Sequence, residues 1–339
     1  MGNSPDLNDA PMIQVENLSK TYRVPTRPPG FVAALRSLVK RAYEDIDAVC
    51  DVNFVIKPGE VVGFIGPNGA GKTTTLKMLA GLLHPSAGRA TVAGFIPWER
   101  RPPFLQQISM VLGNKSQMIW DIPALDTYQV LGEIYHIPAG VFQKTLDELV
   151  ALLEMEELLN KPVRNLSLGE RMKCELAAGL IHRPSILFLD EPTLGLDVSM
   201  QNRLRRFIAD YNRQNGATII LTSHYMADVT ALCERVLLIH HGRLRYDGGL
   251  AALAKRLTPF KLIRVTLEGE NGAAPVEIGL PEGAELLERD GNRLTLRVGR
   301  SAAPELTARL LAALPVNDLS VEDPPIEAVI DQVYREDVL

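Results

Sequence analysis

The stretch Gly66-Pro67-Asn68-Gly69-Ala70-Gly71-Lys72-Thr73 fills every fixed position of the phosphate-gripping pattern GxxxxGK[ST]. Glycines at 66, 69 and 71 let the loop take φ angles closed to residues with a Cβ, so successive backbone N–H groups converge on one anion. A helix that starts near Lys72 and continues through Thr74 adds unpaired N–H groups and the positive end of its dipole. Lys72 then neutralises the β- and γ-phosphates of a nucleoside triphosphate, and the Thr73 hydroxyl takes a coordination position on Mg²⁺. Farther along, residues 185–192 (SILFLDEP) read as an apolar strand ending in two carboxylates. Asp190 is expected to hold Mg²⁺ directly or through water. Glu191, one residue farther out, is expected to position or deprotonate an attacking water.

These groups need elements to place them. Residues 60–65 (EVVGFI) read as a short buried strand, and Leu76, Leu79, Ala80 and Leu83 share one face of the helix after the loop. Strand, glycine loop and helix therefore come in the order that phosphate binding requires. Leu166-Ser167-Leu168-Gly169-Glu170 precedes a helical run, RMKCELAAGLIH. Leu194-Gly195-Leu196-Asp197 precedes a strand, TIILTSH, that ends at His224.

Taken in order, the phosphate loop, the Leu166–Glu170 segment, the acidic strand, the Leu194–Asp197 loop and His224 resemble the ATP-binding cassette (ABC) ATPases over about residues 12–249. The whole chain is similar to the NatA-like branch of that family. The resemblance implies an α/β P-loop NTPase cassette, with a RecA-like core and antiparallel β and helical subdomains. It implies two cassettes packed head to tail, each ATP lying between the phosphate loop of one subunit and Ser167 and Gly169 of the other. Glu170 shares that helix start, and Asp197 belongs to the loop that faces the same interface. The usual signature is LSGGQ; here Leu168 replaces a Gly and Glu170 replaces the Gln, and the added charge is expected to retune the contact.

By the same resemblance Tyr22 matches the aromatic that stacks on adenine, and His224 the residue that senses the γ-phosphate. The Mg²⁺-sensing glutamine falls on Asn114 or Gln117, of which Gln117 is preferred. The implied partners are a second ATPase subunit, identical or paralogous, and integral-membrane permease subunits on other chains. Nucleic acid is not expected. The location implied is the cytoplasmic face of the membrane, held peripherally, with export preferred to import. The alternative is a soluble ABC ATPase acting on DNA or the ribosome, but no coiled coil, zinc module or second cassette is legible. A GTPase is disfavoured because residues 114–117 (NKSQ) lack the Asp of the guanine-reading NKxD motif.

Length and composition fit this organisation. A chain of 339 residues holds a cassette, residues 1–249, and a smaller α+β unit, residues 258–339, where short alternating strands around Ile263–Leu267 and Leu294–Val298 flank an Asp290-Gly291 turn. Helices are expected over 304–314 and 325–336, with a ferredoxin-like arrangement as one option; because the unit carries no catalytic constellation, a regulatory or dimer-stabilising role is expected. Residues 125–165 are expected to form the helical subdomain. An insertion at 24–47 opens on a break, PTRPPG, and continues over 31–46 as a basic amphipathic helix, with Phe31, Leu35, Leu38 and Ala42 on one face, suited to anionic headgroups, to a membrane partner's cytosolic helices or to packing on the cassette's own sheet. The net charge of −5 argues against a nucleic-acid coat. Apolar runs such as 186–189 and 236–239 are far short of the roughly 20 residues of a membrane helix. No secretory signal is expected at the N-terminus. Cys50, Cys174 and Cys233 are expected as reduced thiols, and His84, His136, His182, His240 and His241 as surface or loop residues.

Overall fold

The computed structural model describes residues 10–26, 42–113, 116–223, 225–257, 260–268 and 284–324. The chain divides after Gly249 into two compact units. In the first, the elements run β1 (Ile13–Thr26), β2 (Ala42–Ile56), β3 (Val61–Ile65), α1 (Lys72–Leu79), β4 (Ala87–Val92), α2 (Pro102–Leu105), β5 (Ile108–Leu112), α3 (Ala124–Ile134), α4 (Ala139–Leu153), α5 (Leu168–Leu180), β6 (Ile186–Asp190), α6 (Val198–Asn215), β7 (Thr218–Thr222), α7 (Met226–Leu232), β8 (Arg235–His240) and β9 (Arg243–Gly249).

The main sheet has the order β5-β6-β7-β3-β8-β9 and is parallel except for the β8–β9 hairpin. Every residue of β6 (ILFLD) and β7 (TIILT) is buried, which explains why these strands are continuous apolar runs rather than alternating ones. Because β3 and β6 are parallel members of one sheet, their C-terminal ends deliver the phosphate loop and the carboxylate pair to the same edge. An antiparallel sheet, β2-β1-β4, shares a core with it. In that core Ile13, Phe54 and Ile56 join Phe64, Leu76 and Leu79 of the loop-flanking strand and helix, and Phe188 of the acidic strand. Each such side chain contributes about 1.5–3 kcal/mol on burial, so the supports of the phosphate loop are among the best anchored parts of the unit.

One expectation is corrected here. The flanks of the 24–47 insertion are strands: β1 and β2 pair in register through Tyr22↔Ile46, Val24↔Glu44 and Thr26↔Ala42. Ala42 is therefore a strand residue and not part of a helix face. Pro25 is tolerated because β4 pairs with β1 only as far as Ser19, leaving that edge without a ladder partner. The rest of the proposed helix, including Phe31, Leu35 and Leu38, lies outside the described residues.

The second unit contains α8 (Leu250–Leu257), β10 (Phe260–Leu267), β11 (Glu285–Asp290), β12 (Arg293–Gly299), α9 (Ala303–Ala313) and β13 (Val316–Glu322). It starts at Leu250, earlier than the 258 expected, because α8 belongs to it. Its antiparallel sheet has the order β11-β12-β10-β13, the strand order of a ferredoxin-like fold. Ile263, Val265, Leu294, Leu296 and Val298 pack with Leu306 and Leu310 of α9. Strand β13 was not read from the sequence, and the helix expected over 325–336 lies outside the described residues.

Candidate functional site

The loop between β3 and α1 has glycine where nothing else fits. A Cβ on Gly66 would lie 2.3 Å from the Ile239 carbonyl oxygen, and one on Gly71 would lie 2.4 Å from that of Ala48. Gly71 also has φ 107 at the N-cap of α1, and no side chain caps that helix. Its first-turn N–H groups are thereby aimed into the loop, the arrangement that favours an anion.

Lys72 is nearly buried, and its Nζ donates to the carbonyls of Gly66 at 2.6 Å and Pro67 at 3.1 Å. Burial pulls its pKa below the usual lysine value, while the charges of Glu191 and Asp190 work the other way. A phosphate adds further negative charge that favours the ammonium form against that burial. The Thr73 hydroxyl donates to the Asp190 carboxylate, 3.0 Å from Oδ1 and 2.9 Å from Oδ2, and the Thr222 hydroxyl reaches Oδ1 at 2.7 Å. Glu191 follows with φ 56, and its N–H is fixed by both the carbonyl and the hydroxyl of Thr222, each at 3.1 Å. A positive φ on a non-glycine residue is sparsely populated and persists only where its surroundings hold it.

These groups line one cavity of about 300 Å³, bounded by Asn68, Gly69, Ala70, Gly71, Lys72, Thr73 and Thr74 on the loop side. Asp190, Glu191, Leu194, Gly113 and Ala48 complete it. Gly113 is pressed against the acidic strand: a Cβ there would lie 2.4 Å from the Glu191 carbonyl oxygen, and its N–H donates to the Asp190 carbonyl at 2.8 Å. Gly66 and Pro67 hold Lys72 from behind. A hydroxyl and a carboxylate in contact at the mouth of an anion-binding loop form a hard-oxygen donor set, so Thr73 and Asp190 fit Mg²⁺ held jointly with phosphates. Among the described residues no cluster of three or more His, Cys, Asp or Glu side chains forms a self-sufficient metal site.

Other expected site residues are placed elsewhere. Ser167 caps α5: its hydroxyl accepts from the Glu170 N–H at 3.3 Å, and Glu170 Oε2 accepts from the Ser167 N–H at 2.8 Å. This reciprocal capping box gives Glu170 a local structural task, and those bonds hold its pKa below the ordinary carboxylate range. Ser167, Gly169 and Glu170 do not line the cavity. Asp197 caps α6 by accepting from the Met200 N–H at 2.9 Å, and it is exposed. Tyr22 is exposed on β1, with Lys20 Nζ 5.4 Å from its ring centroid, and also stands apart from the cavity lining.

Gln117 does not line the cavity either. Its Nε2 donates to the Glu175 carbonyl at 3.1 Å and its N–H to Glu175 Oε2 at 3.0 Å, while the Ser116 hydroxyl bonds Glu175 Oε1. Glu175 is buried on α5, so these bonds tie Gln117 to that helix. Asn114 and His224 lie outside the described residues. One histidine departs from the surface-or-loop expectation: His240 is buried. His182 lies in a turn and stacks on Tyr135 with centroids 3.9 Å apart, and burial lowers its pKa. The sequence reading missed Ala48, Gly113 and Thr222 as site residues; of these only Thr222, at the end of an apolar run beside the expected histidine, left a local signal.

Comparison with known proteins agrees with this geometry. A family model described as "ABC transporter" matches residues 49–194, and one described as "EvrA-like ABC transporter, C-terminal domain" matches residues 259–322. The chain is 38% identical over 217 residues to the ABC transporter ATP-binding protein NatA of Bacillus subtilis, covering 63% of this chain and 88% of that one. It is 31% identical over 299 residues to the linearmycin resistance ATP-binding protein LnrL of Bacillus subtilis, covering 85% and 94%. A Nod factor export ATP-binding protein I of Burkholderia pseudomallei is 32% identical over 252 residues, covering 73% and 77%. Among solved structures, an ATP-binding subunit of an ABC transporter superposes with a TM-score of 0.60 at 23% identity, covering 72% of this chain and 92% of that one. A dimeric ATP-binding cassette in a post-hydrolysis state with ADP and Pi gives 0.59 at 23% identity, covering 70% and 98%.

Proposed function

The chain belongs to the family of ABC transporter ATP-binding proteins, and from that premise we propose that two such cassettes close head to tail on ATP and drive export through separate permease subunits. The protein is an ATP-binding, ATP-hydrolysing transporter subunit. One observation carries the mechanism: Lys72, Thr73, Asp190 and Glu191 converge on a single cavity at the end of the parallel sheet.

In that cavity the α1 N-terminus and Lys72 take the β- and γ-phosphates, compensating the burial of the ammonium. Thr73 and Asp190 would hold Mg²⁺, which supplies neutralisation of phosphate charge when bound. Glu191 orients the attacking water and receives its proton. Ser167 and the Gly169 backbone of the second subunit complete the γ-phosphate site with a helix N-terminus, Asp197 faces the same interface, and Tyr22 stacks on adenine. The Mg²⁺-sensing position falls to Gln117 or Asn114, and His224 senses the γ-phosphate.

Export is supported by the relatives whose names are linearmycin resistance and Nod factor export. No helix among the described residues is long and apolar enough to cross a membrane, so the pathway is assigned to permease chains and the protein to the cytoplasmic face of the membrane. The unit from Leu250 onward is assigned a regulatory or dimer-stabilising role. Glu191→Gln tests the chemistry: turnover should fall about 10²- to 10⁴-fold with ATP affinity kept within about twofold, and near-normal turnover would remove Glu191 from its role. Co-purification with a polytopic membrane protein supports the transporter assembly; stable association with ribosomes or DNA and none with membranes contradicts it.

A further inference from the structure

One buried carboxylate gathers side chains from the loop after β6 and the loop after β7. Asp228, in the first turn of α7, has no solvent exposure. Its Oδ2 accepts from the hydroxyls of Thr193 and Ser223, each at 2.5 Å, and its Oδ1 accepts from Arg205 Nε at 2.6 Å. Thr193 and Ser223 are themselves buried. Arg205 lies on α6, is only 13% exposed, and also donates to Asn202 Oδ1 at 2.8 Å and Gln201 Oε1 at 3.3 Å. Thr193 stands two residues after Glu191, in the loop that leads to Asp197. Ser223 directly follows Thr222, whose carbonyl and hydroxyl hold the Glu191 N–H.

We propose that Asp228 is a positioning residue for ATP hydrolysis, fixing the loop after β6 and the loop after β7 relative to each other so that Glu191 keeps its geometry. The proposal rests on the reading that Glu191 acts on the attacking water. Stability alone does not call for this arrangement, since a buried ion pair is often replaced by apolar groups of similar volume without loss. What the carboxylate supplies is direction. Short charge-assisted hydrogen bonds from two separate loops meet on one oxygen, so displacement of either loop breaks a strong contact in a dry site. Glu191 sits between those anchors at φ 56, a conformation that relaxes unless both sides are held.

The test uses the full-length protein and reads Mg-ATP turnover, affinity for a fluorescent ATP analogue, and Tm. Asp228→Asn should lower kcat about 10- to 100-fold, the scale of a small misplacement of a reacting group, with nucleotide affinity within about twofold. Combining Asp228→Leu with Arg205→Met replaces the ion pair by apolar side chains; Tm should return toward the parent value while kcat stays low. Ser223→Ala leaves the Asp228–Arg205 pair intact and should lower kcat about 3- to 10-fold at unchanged Tm, which keeps the test open if the double variant does not fold. Recovery of kcat together with Tm in the double variant, or parental kcat in Ser223→Ala, overturns the proposal. Glu191→Gln is measured alongside. Normal turnover there would mean that the reading of Glu191 itself had failed, whereas normal turnover in Asp228→Asn beside an inactive Glu191→Gln rejects the positioning role alone.

Discussion

Helices α1 and α5 both offer an N-terminus to phosphate in the proposed mechanism, yet their first turns are finished in opposite ways. At α1 the N-cap is Gly71 at φ 107, no side chain caps the helix, and no acidic residue stands in the first turn. At α5 Ser167 and Glu170 satisfy each other's backbone N–H groups in a capping box. A helix start with free donors loses about 1 kcal/mol relative to a capped one, and α1 accepts that loss because its ligand is the cap. The α5 start is exposed and must stand in water whenever no second cassette covers it. It therefore carries its own cap, and any phosphate arriving from a partner meets donors that are already partly engaged.

The sharpest way to break this contrast is at α1. Lys72→Ala removes a charge-assisted contact to phosphate worth about 1.5–3 kcal/mol, so ATP affinity should fall about 10- to 100-fold. Titration with a fluorescent ATP analogue measures it, and unchanged affinity would show that the cavity does not grip phosphate through this loop. The unfolding midpoint of the variant should not drop, because the lysine is buried at a cost that the ligand-free protein bears.

At α5 a smaller effect of a different kind is expected. Ser167→Ala deletes the cap and should cost about 1 kcal/mol of stability, readable as a lower urea midpoint with the m-value kept. ATP binding by the single chain should be untouched, because Ser167 does not line its cavity. ATP-dependent dimerisation, followed by size-exclusion chromatography with Glu191→Gln as the background, should weaken. If Ser167→Ala lowers the single chain's ATP affinity as much as Lys72→Ala does, the two helix starts are not divided between subunits as proposed.

The same contrast explains what the sequence did and did not disclose. The phosphate loop and the acidic strand were legible because each residue type there answers a local demand: glycine at a forbidden Cβ, a hydroxyl and a carboxylate for a hard cation, apolar residues on a strand covered on both faces. Features decided by distant partners were not. Gln117 is tied to α5 because Glu175, far along the chain, accepts from its N–H and its side-chain amide. Residues 42–46 read as helical, yet they pair with residues 22–26 in a register that no local pattern encodes. The Asp228 network assembles Thr193, Arg205 and Ser223 from separate elements, and none of them stands out in its own segment.

Glu170→Gln gives the smallest effect and the finest cut between the two helix starts. A glutamine oxygen still accepts the Ser167 N–H, so the capping box persists, and what is lost is one exposed negative charge near the helix dipole, about 0.3–0.5 kcal/mol at neutral pH. The Ser167 bonds depress the Glu170 pKa in the folded state. For a carboxyl so shifted, the stabilisation is fully present above the unfolded value of about 4.3 and disappears as pH falls through the lower folded value. The parent should therefore lose stability relative to Glu170→Gln below that point. Urea midpoints of the two proteins at pH 7 and in steps down to about pH 2.5 span that window, and a difference independent of pH across it would mean that the box does not depend on the ionised carboxylate. The dimer should respond in the opposite sense. Removing a negative charge where the partner's γ-phosphate is proposed to arrive should tighten ATP-dependent association about two- to fivefold. A looser dimer would place that phosphate away from the α5 start.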